Sequence, residues 1–346
     1  MLKKTIIFGT GQENEKKKFN EKKFLQIIDY CLEQNLLTFD TSDNYFKGKI
    51  EKILGCRIKK SKQNIKIINK FRLINNIDIL RNNLDKSLKN LNKDFIDVYM
   101  PHWPTFNIDK NLLNDFAEEC IERKKIKQFG LSNFSFKMIK EFKNIYKKKF
   151  SLQFELNFSN FSFYKDLLKF CKKDNIDTYC YSIANNFPKK DAYLNQIKSK
   201  YNLNNYELSL NWLSSYNFIR PIIRSTSKEN IDRNIEIFKK KEIRINEKKI
   251  NIKKFYINID LNKIKKISSG SGFVYRNVSE AKNNKYKLYP SPKDISLEIK
   301  KYGLLKPFLF KKYNKKYFNL VSGQARYWAF RLNNKRIKKI KGLLIE

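Results

Sequence analysis

A single histidine, His102, occurs among the 346 residues of the chain. Three other side chains stand with it as candidates for chemistry: Asp40, Tyr45 and Lys70. A free phenol has a pKa of about 10 and is a poor proton donor to a carbonyl at neutral pH. An ammonium beside it stabilises the phenolate and draws that pKa toward the working range. Lys70 is the candidate ammonium, and Asp40 would hold it charged and oriented. A neutral His102 would hydrogen-bond a carbonyl oxygen and fix its angle of attack. Taken singly, each has a plainer reading. Asp40 could cap a helix, Lys70 could be a solvated cation, and Tyr45 is one of 19 tyrosines.

Such groups act together only if separate elements bring them to one place. Short apolar runs recur through the first two-thirds of the chain: TIIFGT from Thr5, LTFDT from Leu37, IKIINK from Ile65 and DVYMPH from Asp97, then KQFGLSN from Lys127, LQFELN from Leu152, DTYCYS from Asp177 and RPIIRS from Arg220. Most lack strict alternation, as parallel strands buried on both faces do. Segments of helical spacing lie between them. Eight βα units in about 240 residues predict a (β/α)8 TIM barrel. In that fold reacting groups sit at the C-terminal ends of different strands. Asp40, Lys70 and His102 are expected to close the second, third and fourth, with Tyr45 in the loop after the second. A doubly wound sheet is disfavoured, because Gln12, Glu13 and Asn14 follow Gly9 and Gly11 where G-x-G-x-x-G would continue.

Composition narrows the function classes. No run of about 18 apolar residues occurs, so no membrane-spanning helix is expected. Five cysteines without a C-x-x-C pair argue against a disulfide scaffold or a zinc site and fit a cytoplasmic location. No metal site is expected. The net charge of +40 resembles a nucleic-acid signal, but the 74 basic residues include only 12 Arg. Lysine excess together with Asn, Ile and Phe fits codon drift, so a nucleic-acid partner is not expected.

The motifs FDTSDNYFKGKIEKILG, DFIDVYMPHW and GLSNFS, followed in order by LQFELN, YSIA and RSTSKENIDRN, resemble the aldo-keto reductase family over about residues 3–240. The resemblance implies a nicotinamide-dependent oxidoreductase that reduces a small or sugar-like carbonyl. Tyr45 would be its general acid, with Asp40, Lys70 and His102 as partners. Gly9 and Thr10 fall at the cofactor side of the first strand. Ser132, Asn133 and Gln153 would hold the nicotinamide carboxamide, and Tyr181 would stack on the ring. Arg224 and Ser225 occupy the positions for the adenosine 2′-phosphate, and Asn234 the adenine-contacting one. An Arg fork suits a phosphate, which favours NADP, with NAD the alternative. Phe46 stands where the family commonly has Gly, Ile183 where it has Pro, and Asn230 where it has Arg. Phe46 predicts a narrower mouth or a shifted loop.

Residues 241–254, a lysine-rich run, read as a charged linker. Residues 255–346 then read as a small mixed α/β domain occupying the place of the family's C-terminal substrate loop. Its Gly-Leu-Leu-x-Pro turn (Gly303 to Pro307) and LVSGQARYWA segment resemble the ParB N-terminal and sulfiredoxin-like superfamily. The resemblance implies a nucleoside triphosphate, or a nucleotide-bearing substrate, at Gly323, Gln324 and Arg326. The alternative is a packing module in which Arg326 caps a turn. No Cys follows Cys180, so sulfiredoxin chemistry is not expected. The rival to an enzyme is a non-catalytic NADP(H)- and triphosphate-binding sensor.

Overall fold

The computed structural model describes residues 5–11, 19–105, 108–240, 242–251, 256–268, 274–287, 290–333 and 339–345. Each of the eight apolar runs supplies one strand: β1 (Ile7–Gly9), β2 (Thr38–Ser42), β3 (Lys66–Phe71), β4 (Ile96–Pro101), β5 (Ile126–Ser132), β6 (Phe150–Glu155), β7 (Thr178–Tyr181) and β8 (Ile219–Ile223). They pair in parallel in sequence order and close on themselves, β1 joining β8. Side chains two apart on a strand share a face. A buried cluster of Ile7, Ile68, Val98, Met100, Tyr179 and Ile222 fills the barrel. Lys70 follows Ile68 on that inward face, at the end where a barrel keeps its chemistry.

Among the described residues nine helices wrap the strands: α1 (Glu21–Glu33), α2 (Lys49–Lys60), α3 (Ile77–Leu91), α4 (Lys110–Glu122), α5 (Phe136–Ile145), α6 (Lys165–Lys173), α7 (Ala192–Tyr201), α8 (Asn205–Ser214) and α9 (Lys228–Lys239). Asn20, Asn76, Asp109, Ser135, Asp191 and Ser227 each accept a backbone N–H at a helix start. Each such cap contributes about 1 kcal/mol. The Asn-rich composition thus supplies helix boundaries.

The segment expected to be a charged linker is docked on the barrel where it is described. Asn211 Oδ1 accepts from the Ile243 amide at 2.8 Å, and Glu247 accepts from Trp212 Nε1 at 3.0 Å. Asp191 accepts from the Asn251 amide at 2.9 Å, and Ile250 is buried in the barrel's outer core. Three isoleucines (Ile243, Ile245 and Ile250) anchor the run while Lys248 and Lys249 stay exposed, so charge density concealed an apolar register.

Beyond it lies a five-stranded sheet of order β10-β12-β11-β13-β9. Its strands are β9 (Tyr256–Asp260), β10 (Ile264–Ile267), β11 (Phe308–Lys312), β12 (Phe318–Ser322) and β13 (Lys339–Ile345). Helices α10 (Val278–Lys282), α11 (Pro292–Tyr302) and α12 (Gln324–Asn333) accompany it. The domain has its own core, including Tyr275, Phe308, Phe310, Leu320 and Trp328. Strand β10 was not foreseen: IKKI is an edge strand, where lysines are placed to discourage further pairing. The loop SSGSG lies largely outside the described residues. Tyr302 and Leu305, at the end of α11 and in the following turn, pack into the barrel's core instead of their own. Tyr164 Oη donates to the Leu305 carbonyl at 3.4 Å, and Lys137 Nζ to that of Lys301 at 3.1 Å.

Candidate active site

The floor of the site is an ion pair. Lys70 Nζ lies 2.7 Å from each carboxylate oxygen of Asp40, and both residues are buried. Gln153 Nε2 donates to Asp40 Oδ1 at 2.6 Å, giving the carboxylate a second partner from β6. Burial alone would lower the Lys70 pKa, but Asp40 and Tyr45 reverse this and hold it above the usual lysine value. Asp40 is in the middle of β2 and Lys70 one residue before the end of β3, slightly deeper than the strand-end placement expected. His102 follows the last residue of β4, its amide donating to the Phe71 carbonyl at 2.8 Å.

Tyr45 stands over this pair, the Lys70 ammonium 5.4 Å from its ring centroid. The His102 ring lies edge-on to it, with centroids 5.8 Å apart and an interplanar angle of 80°. Lys70 draws the Tyr45 pKa down as expected, but the net shift is upward. Burial raises it above the ordinary phenol value, Lys70 opposes this, and Asp40 adds to the rise. Burial penalises the phenolate more than the ammonium, already neutralised by Asp40, can relieve. The Tyr45 phenol is therefore protonated at neutral pH. Burial, then the Lys70 and Lys306 charges, draws His102 down to about 3, so its imidazole is neutral. Ser42 Oγ lies 3.3 Å from His102 Nδ1.

The loop carrying Tyr45 is fixed from below. Glu51, buried at the start of α2, accepts from Asn69 Nδ2 at 2.8 Å and Asn90 Nδ2 at 2.9 Å. At Gly55 the helix passes α3 so closely that a Cβ would lie 2.0 Å from the Asn90 carbonyl oxygen. Phe46, in the family's glycine position, keeps φ at +49°, a left-handed conformation that glycine adopts freely. Its ring packs on Phe19, with centroids 4.7 Å apart, and not into the cavity. The mouth is therefore not narrowed by Phe46 itself.

A cavity of about 690 Å³ joins Asp40, Tyr45, Lys70 and His102. Gly9, Gln153, Tyr181, Arg224 and Ser225 of the expected cofactor set stand in its wall, as do Asn230 and Ile183. The others stand behind it. Thr10 Oγ1 donates to the Asp40 carbonyl at 2.9 Å and ties β1 to β2. Asn133 Nδ2 donates to the His102 carbonyl at 3.0 Å and to Ser132 Oγ at 3.1 Å. Ser132 Oγ in turn donates to Gln153 Oε1 at 3.2 Å. These three therefore form a relay from His102 to Asp40. Asn234 is buried in α9 and does not reach the cavity wall. Gly11, Trp103 and Lys306 are among the wall residues that escaped the sequence reading. A Cβ on Gly11 would lie 2.9 Å from the Tyr45 hydroxyl, so only a glycine leaves that ring its place. Trp103 stacks on His102, centroids 6.2 Å apart at 21°, and Lys306 enters from the small domain.

Residues 5–252 match the aldo/keto reductase family. The chain belongs to this family. Aldo/keto reductase YhdN of Bacillus subtilis is 28% identical over 138 residues, covering 36% of this chain and 41% of the relative. Methylglyoxal reductase YeaE of Escherichia coli is 22% identical over 216 residues, covering 60% of this chain and 75% of the relative. The chain thus spans about two-fifths of the first relative's length and three-quarters of the second's. The thermostable aldo-keto reductase Tm1743 shares the fold with a TM-score of 0.63 at 21% identity, over 72% of this chain and 92% of its own. A Bombyx mori aldo-keto reductase in complex with NADP has a TM-score of 0.59 at 21% identity, over 70% and 86%. The aldo/keto reductase match ends at residue 252, so it does not extend to the five-stranded domain.

In that domain, Gly323, Gln324 and Arg326 are engaged internally. Gly323 has φ +105°, and Gln324 Oε1 accepts from the Tyr275 amide at 3.3 Å. Arg326 Nη1 donates to the Lys306 carbonyl and, at 3.1 Å, to that of Pro307. Among the described residues no cluster of three or more His, Cys, Asp or Glu side chains is placed to hold a metal ion. None of the described helices is long and apolar enough to cross a membrane.

Proposed function

We propose that the chain is an NADP(H)-dependent reductase of a small or sugar-like carbonyl compound, with Tyr45 as the general acid. The observation that carries this is the buried Asp40–Lys70 pair under Tyr45, with neutral His102 opening on the same cavity. The residues present fit the cofactor. Gly9 and Gly11 line the cavity, Tyr181 offers a ring face, and Arg224, Ser225 and Asn230 line the wall beside the capped start of α9. That helix start and an Arg fork both favour a phosphate, which supports NADP over NAD. A reduced nicotinamide supplies the hydride when bound.

The chain's own residues do the rest. His102, unprotonated, donates one N–H to the carbonyl oxygen and sets its direction. Tyr45 hands its proton to that oxygen as negative charge develops there. Lys70 steadies the resulting phenolate, and Asp40 keeps Lys70 charged. The methylglyoxal reductase name of one relative supports a small substrate. In the small domain, the inward commitment of Arg326 supports packing over the ParB-like triphosphate site. Calorimetry with CTP or ATP then gives no heat, whereas stoichiometric binding would favour the sensor reading. The enzyme reading is tested by NADPH oxidation across aldehydes, ketones and nucleotide-sugar carbonyls. Turnover of at least one class is expected, and NADPH binding with no turnover on any would overturn it.

A further inference from the structure

The residue that most changes the site comes from outside the barrel. Lys306 is the variable position of the Gly303–Pro307 turn, and that turn brings its side chain into the wall shared with Tyr45 and His102. Its ammonium donates to Tyr181 Oη at 2.7 Å and to Glu155 Oε2 at 3.2 Å. It also lies 4.9 Å from the Trp103 ring centroid and 5.0 Å from that of Tyr181. Arg326 grips the Lys306 carbonyl, so the turn is pinned from the small domain as the ammonium is pinned from the barrel.

Three features distinguish this from an ion pair that merely joins two domains. The Lys306 side chain keeps 19% of its surface exposed, and it lines the catalytic cavity. Its counter-ion does not stand in the catalytic wall, since Glu155 lines a second cavity of about 220 Å³, which Lys306 and Arg326 also line. An ammonium has three donors, and the contacts described take two. Among the described residues, the charged groups in the catalytic wall are Asp40, Lys70, Arg224 and Lys306. Asp40 and Lys70 neutralise one another, and Arg224 is assigned to the cofactor. Lys306 is left as the cation facing the substrate, close enough to be felt at His102.

We propose that Lys306 is the specificity-determining residue of this site, selecting small carbonyl compounds that carry a carboxylate or phosphate a few bonds from the carbonyl carbon. The proposal rests on the reductase reading above. The small domain thereby completes the active site in place of a substrate loop. A charge-assisted hydrogen bond to an anion is among the stronger polar contacts, and losing it predicts at least a tenfold effect.

The test uses the full chain and two substrate pairs, butanal against 4-oxobutanoate and glyceraldehyde against glyceraldehyde 3-phosphate. Wild type is expected to show a kcat/KM at least tenfold higher for the charged member of one pair, and which pair responds separates carboxylate from phosphate. Lys306→Met should lower that ratio tenfold or more, through KM, whereas Lys306→Arg should retain most of it. Glu155→Gln, which removes the counter-ion, should raise the ratio; an unchanged or lower ratio counts against the proposal. A wild-type ratio near one in both pairs, or equal loss on charged and neutral members in Lys306→Met, overturns it. If none of the four aldehydes is reduced, the reductase reading fails on its own. Lys306 is then tested by calorimetry of succinate and of inorganic phosphate with the NADPH-loaded protein. Tenfold weaker binding of either in Lys306→Met sustains the anion site, and affinities unchanged from wild type, or no binding by wild type, remove it.

Discussion

Asp40 in the barrel and Glu298 in the small domain are both carboxylates buried to within a few per cent of complete exclusion, 6% and 3% exposed. Their surroundings differ. Asp40 has Lys70 on both oxygens and Gln153 on one. Glu298, on α11, has an oxygen without a hydrogen-bond partner among the described residues. Burial, with Asp294 adding to it, pushes Glu298 up to about 7. A buried charge that is retained must be paired, and one that is not paired gives up its charge. The barrel therefore holds its buried carboxylate against a cation and an amide donor. The small domain carries one that is close to neutral.

The comparison is broken most severely by unpairing the barrel. Lys70→Met leaves Asp40 buried without its cation, which should cost about 3–5 kcal/mol of stability in denaturant unfolding. Carbonyl reduction should fall by a factor of about 10²–10⁴. A variant near wild type in both would mean that the pair does not support Tyr45. The opposite change is expected in the small domain. Glu298 has a folded pKa above its unfolded value, so the native state holds the proton more tightly. The stability this gives is fully present below about pH 4.5 and is lost as pH rises toward 7. Glu298→Gln should flatten that fall and raise stability at pH 8, read from unfolding midpoints across pH. A variant whose pH dependence matches wild type would show that Glu298 ionises freely.

The pH profile of catalysis sharpens the same contrast with a smaller change. Tyr45 is raised above the ordinary phenol value and His102 is drawn down to about 3. The kcat/KM for reduction should be nearly constant from about pH 5 to 9 and fall only as the phenol ionises above about 10. A limb near pH 6.5 would identify a protonated His102 as the acid.

The barrel was legible because its strands announce themselves twice, as apolar runs and through polar residues at their ends. Asp40, Tyr45, Lys70 and His102 could each be placed by that logic. The pKa of Tyr45 could not, since its sign depends on how far burial outweighs an ammonium already neutralised by Asp40. Ser132, Asn133 and Thr10 were read as cofactor contacts, and the bonds their side chains make to Gln153, the His102 carbonyl and the Asp40 carbonyl were not visible in the sequence. Sequence order cannot distinguish a residue that lines a cavity from one directly behind it. Lys306 was hidden for a different reason. One lysine among 62, it fills the variable position of the Gly-Leu-Leu-x-Pro turn, and only docking of the 303–307 turn through Tyr302 and Leu305 gives it a role. Gly11 was legible as a glycine but not as the space that Tyr45 occupies.

Substituting Tyr45 by Phe removes one hydroxyl and leaves the ring, the ion pair beneath it and the cavity wall in place. NADPH affinity, followed by fluorescence, should stay within about threefold of wild type while turnover of the best aldehyde falls about 10²–10⁴-fold, the usual worth of a positioned acid. Turnover by Tyr45→Phe at the wild-type rate would show that another group delivers the proton.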